Sequence, residues 1–183
     1  KAQMIAKSLG EDGYAVVVVG DANHPEIKAL VDFVPKNIFV IKNRGDIKKL
    51  VLLKTDRVSV ISQTTQSTEN FTDVVKALTA KRFKELKVFN TICKDAEKRQ
   101  RYAKSLAKKA DLMLIIGGRD SANTRRLFEV CRSISGKSHL IETEREFKDS
   151  WLESAGVVGI TSGASTPDWV INKVVDKIKR ISK

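Results

Sequence analysis

Short loops of small polar residues follow five apolar runs of this sequence, and each loop precedes a helical pattern. The loops comprise residues 20–26, 62–67, 90–93, 117–124 and 161–168. In open α/β sheets, ligands bind at the carboxyl ends of the strands. Hydroxyls, amides and backbone N–H groups at the start of a helix suit a phosphate. A single loop of this kind would be explained by helix capping alone. Five loops predict a shared pocket for a phosphorylated ligand, with one cysteine and one carboxylate facing it.

The loop at residues 62–67 carries more polar groups than a helix start requires. It offers four hydroxyls and two side-chain amides. Capping of the following helix by Ser67 or Thr68 would use one or two of these groups. The polar groups that capping does not use indicate that this loop binds a ligand.

Residues 24–26, with the sequence His24-Pro25-Glu26, allow two interpretations. In the first, the imidazole contacts an anion and the carboxylate handles a proton. In the second, Pro25 occupies the first helical position and Glu26 is favoured by the helix dipole. Taken alone, the motif favours the helix start.

The two cysteines receive different interpretations. Cys93 follows a predicted strand and suits a metal or cluster ligand, a nucleophile, or a small buried residue. No second cysteine lies at ligand spacing, so spacing alone does not predict a metal site. Cys131 lies on the apolar side of a predicted helix and is assigned to the core. His139 has no comparable polar neighbours and is assigned a structural role.

The last two loops also place hydrogen-bond donors where helices are predicted to begin. The glycine pair at 117–118 allows a tight turn, and Ser121 and Asn123 follow it. Ser165 and Thr166 occupy the corresponding positions of the final loop.

Alternating strand and helix patterns must position these loops, and they predict an α/β fold. Strands are predicted at residues 16–19, 37–41, 57–61, 87–89, 112–116, 138–141 and 157–160. The helical patterns lie at 2–9, 27–34, 46–53, 71–78, 96–109, 127–131, 144–152 and 169–178. The cycle restarts after Arg82, so we predict two similar small lobes, 1–82 and 83–183. Each is expected to hold a mainly parallel sheet flanked by helices.

Composition and net charge limit the kinds of molecule that this chain is expected to bind. The formal net charge is +12, which suits nucleic acid, anionic membrane or phosphorylated small molecules. The basic residues are spread over many segments, and aromatic residues make up only 6% of the chain without a stacking motif, which argues against nucleic acid. No apolar run is long enough to span a bilayer. Two cysteines do not form a disulfide framework and fit a reducing compartment.

Taken together and in order, the loop motifs resemble one enzyme family. The motifs are His24-Pro25-Glu26, Ser62-Gln63-Thr64-Thr65, Asn90-Thr91-Ile92-Cys93 with Arg99-Gln100, Asp120-Ser121-Ala122-Asn123-Thr124, and Gly163-Ala164-Ser165-Thr166-Pro167-Asp168. The family is 4-hydroxy-3-methylbut-2-enyl diphosphate reductase, of the methylerythritol phosphate route to isoprenoids. Its enzymes are three-lobed α/β proteins around an iron–sulfur cluster, and the resemblance implies a 4Fe-4S cluster here.

The resemblance also implies roles for individual residues. Cys93 resembles one of three cysteine ligands of the cluster, Glu26 resembles the proton donor, and Thr64 resembles the threonine that positions the substrate hydroxyl. The groups that resemble the family's diphosphate ligands are His24, Thr64, Ser121, Ala122, Asn123 and Ser165. Ala122 replaces a second serine of many relatives, and its backbone N–H is expected to serve instead.

The resemblance implies further expectations about the whole protein. The family has a further N-terminal lobe with the other two cysteine ligands, so this chain is expected to represent the second and third lobes and to lack turnover alone. Ferredoxin or flavodoxin is the expected electron donor, and the bacterial cytoplasm is expected in preference to a plastid. A non-catalytic module that binds diphosphate or other anions is the alternative function.

Overall fold

The computed structural model describes residues 2–34, 36–52 and 55–181. The chain divides into two compact units, Lys1–Lys94 and Asp95–Lys183. In the described part of the chain, no helix combines the length and apolar character needed to cross a bilayer.

The first unit is a four-stranded parallel sheet with helices packed on it. Its elements are α1 (Ala2–Glu11), β1 (Ala15–Val19), α2 (Pro25–Phe33), β2 (Ile38–Ile41), a 3₁₀ segment (Arg44–Leu52), β3 (Arg57–Ser62), α3 (Thr68–Thr79) and β4 (Glu85–Val88). The strand order is β2-β1-β3-β4, and all pairs are parallel. Every residue of β1 is buried, as expected of a central parallel strand covered on both faces.

The second unit repeats this plan with three parallel strands. Its elements are α4 (Lys94–Ala107), β5 (Leu112–Ile116), α5 (Ala122–Arg132), β6 (Ser138–Ile141), two 3₁₀ segments (Glu144–Glu146 and Asp149–Leu152), β7 (Val158–Ser162) and α6 (Asp168–Ile181). The strand order is β6-β5-β7. The fully buried strand β5 lies at the centre.

Each sheet has an apolar core on both faces. In the first unit, Val17 and Val19 pack with Leu78 on one face, and Val16 and Val18 pack on the other. In the second unit, the two faces of β5 contribute to separate clusters in the same way. Alternate residues of one strand therefore support opposite layers.

The predicted α/β class with two mainly parallel sheets is confirmed. The division of the chain differs from the predicted boundary between residues 82 and 83. The strand predicted at 87–89 overlaps β4, which pairs with β3 as the last strand of the first sheet. The structure therefore places the Cys93 loop in the first unit, and the division follows Lys94.

Candidate functional site

Three of the polar loops lie at the carboxyl edge of the first sheet. They follow β1, β3 and β4, which are neighbours in the order β2-β1-β3-β4. Because these strands are parallel, their carboxyl ends lie at one edge. The loop residues that the sequence indicated for binding and chemistry in this unit, namely His24, Glu26, Thr64 and Cys93, all belong to these three loops.

Glu26 and Thr64 make the central contact of this edge. The backbone N–H of Thr64 donates to Oε1 of Glu26 at 2.8 Å, and the Thr64 hydroxyl donates to Oε2 at 2.8 Å. Both residues are only partly buried. Two donors from one residue fix the orientation of the carboxylate, and partial burial leaves the pair accessible to a ligand.

Cys93 is held next to this pair through its backbone. Its N–H donates to the carbonyl oxygen of Thr64 at 2.8 Å. The Cys93 residue is exposed. An exposed thiol on an anchored backbone suits a ligand or reactive group better than the buried alternative considered from the sequence.

His24 caps helix α2. Its Nδ1 accepts the backbone N–H of Glu26 at 3.2 Å, and Pro25 occupies the first helical turn. The helix-start interpretation of residues 24–26 is therefore confirmed. It does not exclude a binding role, because an acceptor at Nδ1 places the proton of the neutral ring on Nε2, where it can donate to an anion.

Gln63 and Thr91 connect the loops through hydrogen bonds, a role that the sequence pattern does not indicate for either residue. The Gln63 amide accepts the backbone N–H of Asp21 at 3.0 Å and donates to the Thr65 hydroxyl at 3.1 Å. The Thr91 hydroxyl accepts the N–H of Ser62 at 2.8 Å. The surplus of polar side chains in residues 62–67 was the available signal, and part of that surplus connects loops.

The second unit presents a separate group of polar residues at the start of α5. Ser121 is the N-cap, and its hydroxyl accepts the backbone N–H of Thr124 at 3.4 Å. Ala122 is the first helical residue. The side-chain amide of Asn123 is buried, and neither its Nδ2 nor its Oδ1 has a hydrogen-bond partner in the described part of the chain. A buried amide without partners is costly, so this one points to a ligand.

The loop that contains Ser165 lies against this helix start. A Cβ added at Gly163 would overlap the hydroxyl oxygen of Thr124. A Cβ at Gly117, where φ is +146°, would lie 2.9 Å from the same oxygen and 2.7 Å from the Thr166 hydroxyl. The two glycines therefore allow the loops after β5 and β7 to meet, and Ser165 is exposed on the second of them.

The described residues supply one candidate ligand for an iron–sulfur cluster. They contain no group of three histidine, cysteine or acidic side chains that could hold a metal ion. Cys131 is buried in the apolar core, where desolvation raises the pKa of its thiol to about 11. The prediction that Cys131 belongs to the core is confirmed. Cys93 fits as a single ligand, and a three-cysteine cluster does not fit the described residues alone.

His139 belongs to strand β6 and to none of the polar loops. Its ring stacks on Trp151, with centroids 3.7 Å apart and planes 3° from parallel. Burial lowers the pKa of this histidine, and the nearby charges of Lys148 and Arg132 lower it further. The contact supports the structural role predicted from the sequence.

The chain resembles known proteins over nearly its whole length. The family model described as "LytB protein" matches residues 1–179. A 4-hydroxy-3-methylbut-2-enyl diphosphate reductase of Pelobacter propionicus is 46% identical over 183 residues, which are 100% of this chain and 64% of that protein. A protein of the same name from Geotalea uraniireducens is 43% identical with the same coverage. The chain thus spans 64% of the length of these relatives.

Solved structures give the same result. One, titled as (E)-4-hydroxy-3-methyl-but-2-enyl diphosphate reductase, the terminal enzyme of the non-mevalonate pathway, is 38% identical with a TM-score of 0.55, covering 98% of this chain and 64% of that one. A second, a reductase of Plasmodium falciparum, has a TM-score of 0.88 at 22% identity, covering 97% of this chain and 56% of that one, and supports the fold alone. The chain belongs to the LytB protein family.

Proposed function

We propose that the whole protein to which this chain contributes reduces 4-hydroxy-3-methylbut-2-enyl diphosphate to isopentenyl and dimethylallyl diphosphate. In this reaction the allylic C–O bond breaks, the hydroxyl leaves as water, and two electrons and two protons are consumed. The observation that carries the proposal is the linked arrangement of Glu26, Thr64 and Cys93 at one edge of the first sheet. The names of the relatives support the same reaction.

Glu26 is proposed as the proton donor to the departing hydroxyl. Its two oxygens accept hydrogen bonds from Thr64, which would hold the carboxyl group in one orientation. Thr64 is proposed to position the substrate hydroxyl. For proton delivery the hydrogen bond between the pair reverses, so that the protonated Glu26 carboxyl donates to the Thr64 hydroxyl oxygen and the Thr64 hydroxyl donates to the leaving oxygen. This pair forms a short path for a proton from the carboxyl group to the leaving oxygen.

Helix starts in each unit, taken by itself, are proposed to offer donors for a phosphate group. In the second unit these are Ser121, Asn123 and Ser165, together with the backbone N–H of Ala122 at the first turn of α5. In the first unit the Nε2–H of His24 is the donor. The partnerless amide of Asn123 supports this assignment, because a phosphate oxygen would satisfy its N–H groups.

Cys93 is proposed as one ligand of an iron–sulfur cluster, which would supply the electrons when bound. Its exposed thiol and anchored backbone support this role. The remaining ligands are proposed to come from the rest of the whole protein. This chain alone is therefore expected to lack turnover.

The test uses a protein extended to the full length of its relatives, kept anaerobic and reduced with methyl viologen. We expect conversion of the substrate to both products. In Glu26→Gln the rate constant kcat should fall about 100-fold or more, because an amide cannot donate the proton. The substrate KM should change less, since Glu26 is not a diphosphate ligand.

Thr64→Ser is the matched control, because serine keeps the hydroxyl that donates to Glu26. It should retain activity within about tenfold of the parent protein. Activity of Glu26→Gln equal to that of Thr64→Ser would overturn the role of Glu26. Absence of conversion by the parent protein, with equal calorimetric affinity for inorganic and isoprenoid diphosphates, would instead favour an anion-binding module.

A further inference from the structure

Helix α4 carries a concentrated positive charge directly after Cys93. The segment from 94 to 109 contains seven basic and two acidic residues, a net charge of +5. Both acidic residues, Asp95 and Glu97, lie in the first turn. From Lys98 to Lys109 the segment has no acidic residue.

The positive charges lie on the face of α4 that is turned away from its own sheet. Ala103 and Ala107 pack into the core of the second unit. Lys94, Lys98 and Arg101 are exposed, and their spacing of four and three residues places them on one side of the helix.

An exposed aromatic residue lies within this basic face. Tyr102 is 59% exposed. The Lys98 Nζ lies 5.9 Å and the Arg101 guanidinium carbon 5.8 Å from its ring centroid. Tyrosine and arginine are enriched at protein interfaces, where an aromatic ring supplies contact area and the cations supply attraction to an acidic partner.

Helix stability accounts for only part of this arrangement. Basic residues near the end of a helix are favoured by its dipole, which explains Lys104. Lys98 and Arg101 lie earlier in the helix, and the dipole does not require an exposed tyrosine near them. Nucleic acid would also be attracted by the charge, but one helix with one exposed ring offers no continuous track for bases.

We propose that the α4 face formed by Lys94, Lys98, Arg101 and Tyr102 docks an acidic electron-carrying protein. The proposal rests on the proposed function, because that reduction consumes two electrons for each turnover, which an external donor must supply. Docking here would bring the carrier to the helix that begins immediately after Cys93. Lys98 and Arg101 lie about 6 and 11 Å along the helix from its first residue, Lys94, at 1.5 Å per residue.

The test compares two electron sources in the full-length protein. We use reduced flavodoxin as the acidic protein probe and reduced methyl viologen as the small-molecule source. In a double variant, Lys98→Glu with Arg101→Glu, the KM for flavodoxin should rise about tenfold, and its dependence on salt should flatten. The rate with viologen should stay within about twofold of the parent protein, since neither residue belongs to the proposed site.

The matched control reverses one lysine and one arginine on α6, using Lys173→Glu with Arg180→Glu. Lys173 lies 4.9 Å from the ring centroid of Trp169, which is 61% exposed, so the control also alters a basic aromatic face. The net charge changes equally in both variants. An equal rise of the flavodoxin KM in the control would overturn the proposal, because net charge alone would explain it.

Two further measurements keep the outcomes distinct. Calorimetric titration of flavodoxin tests docking without turnover, and loss of heat in the α4 variant alone supports the proposal. Unchanged flavodoxin binding with weakened binding of an RNA oligonucleotide would assign the face to nucleic acid and overturn the proposal.

If the charge-reversal variant also loses the viologen rate, Lys98→Gln with Arg101→Gln repeats the comparison. Absence of the viologen rate in the parent protein contradicts the proposed function, while the titration still decides the docking.

Discussion

The two cysteines show how position in an α/β fold separates a reactive side chain from a structural one. Cys93 follows β4 in a loop, and its thiol is exposed while its backbone is anchored to Thr64. Cys131 lies on the inner side of α5, and its Sγ is 4.0 Å from the carbonyl oxygen of Ala103. Burial raises the pKa of Cys131 to about 11, so at neutral pH its reactive thiolate form is scarce.

This difference predicts how the two thiols react with an aromatic disulfide reagent. In the folded chain near neutral pH, one equivalent of thiol should react rapidly, and peptide mapping should assign it to Cys93. The second equivalent should react only after denaturation. In Cys93→Ser the rapid phase should vanish, whereas Cys131→Ala should leave it intact. Rapid modification of Cys131 in the folded chain would show that the core of the second unit opens readily.

Sequence reasoning identified the residues of the candidate site better than it identified their contacts. The surplus of hydroxyls after β3 and the family resemblance directed attention to Glu26, Thr64 and Cys93. That both donors of Thr64 point to one carboxylate depends on side-chain geometry that no spacing rule supplies. The Asn123 amide, which has no hydrogen-bond partner among the described residues, could not be predicted either. A missing partner depends on the positions of all the neighbouring groups.

At the scale of elements, the second unit depends on one close approach between loops. Gly163 follows β7 and leaves room for the Thr124 hydroxyl at the start of α5. The Thr166 hydroxyl donates to the carbonyl oxygen of Ile116 at 3.0 Å and fixes the final loop to β5. These contacts position the start of α5, where the proposed diphosphate ligands lie.

Gly163→Ala should therefore destabilise the chain by about 1–3 kcal/mol, because the added methyl group overlaps a buried hydroxyl. Chemical denaturation measures the loss. Gly136→Ala is the matched control, since an added Cβ there meets nothing within 4 Å, and its effect should stay within about 0.5 kcal/mol. Equal stability of the two variants would show that Thr124 moves aside at little cost.

The elements were predictable wherever hydrophobic pattern alone decides the structure. The bounds of β5 and β6 match the predicted 112–116 and 138–141. The β5 run is wholly apolar and ends at a glycine pair, and β6 ends in two apolar residues before a polar turn. Residues 46–53 and 144–152 are predicted to be helical, and the structure describes 3₁₀ segments at Arg44–Leu52, Glu144–Glu146 and Asp149–Leu152, while Leu53 lies outside the described residues. Short amphipathic stretches do not distinguish the two helix types, because the difference is one residue in the hydrogen-bond spacing.

For the whole molecule, the two units share one plan, as the predicted pair of similar lobes implied, but the order of the strands could not be predicted from the sequence. In each, the first strand is central, the second lies on one side and the third on the other, in the orders β2-β1-β3 and β6-β5-β7. Buried parallel strands joined by helical crossovers give this order in both units without similar residues. The boundary between units was misplaced because a strand–helix cycle has no inherent starting point, and only strand pairing assigns β4 to the first sheet.

The described residues of the whole chain also lack a complete set of ligands for an iron–sulfur cluster. Its described residues include no trio of candidate metal ligands, and Cys131 is buried in the core. Anaerobic reconstitution with iron and sulfide should therefore leave the chain without a stable cluster, as measured by iron analysis and the visible spectrum. A protein extended to the full length of its relatives should retain one, and Cys93→Ser should weaken it. A stable cluster in the short chain that is lost in Cys93→Ser would contradict this expectation. It would indicate that thiols from more than one copy of the chain meet at the cluster, and chromatography of the reconstituted sample would then show an oligomer.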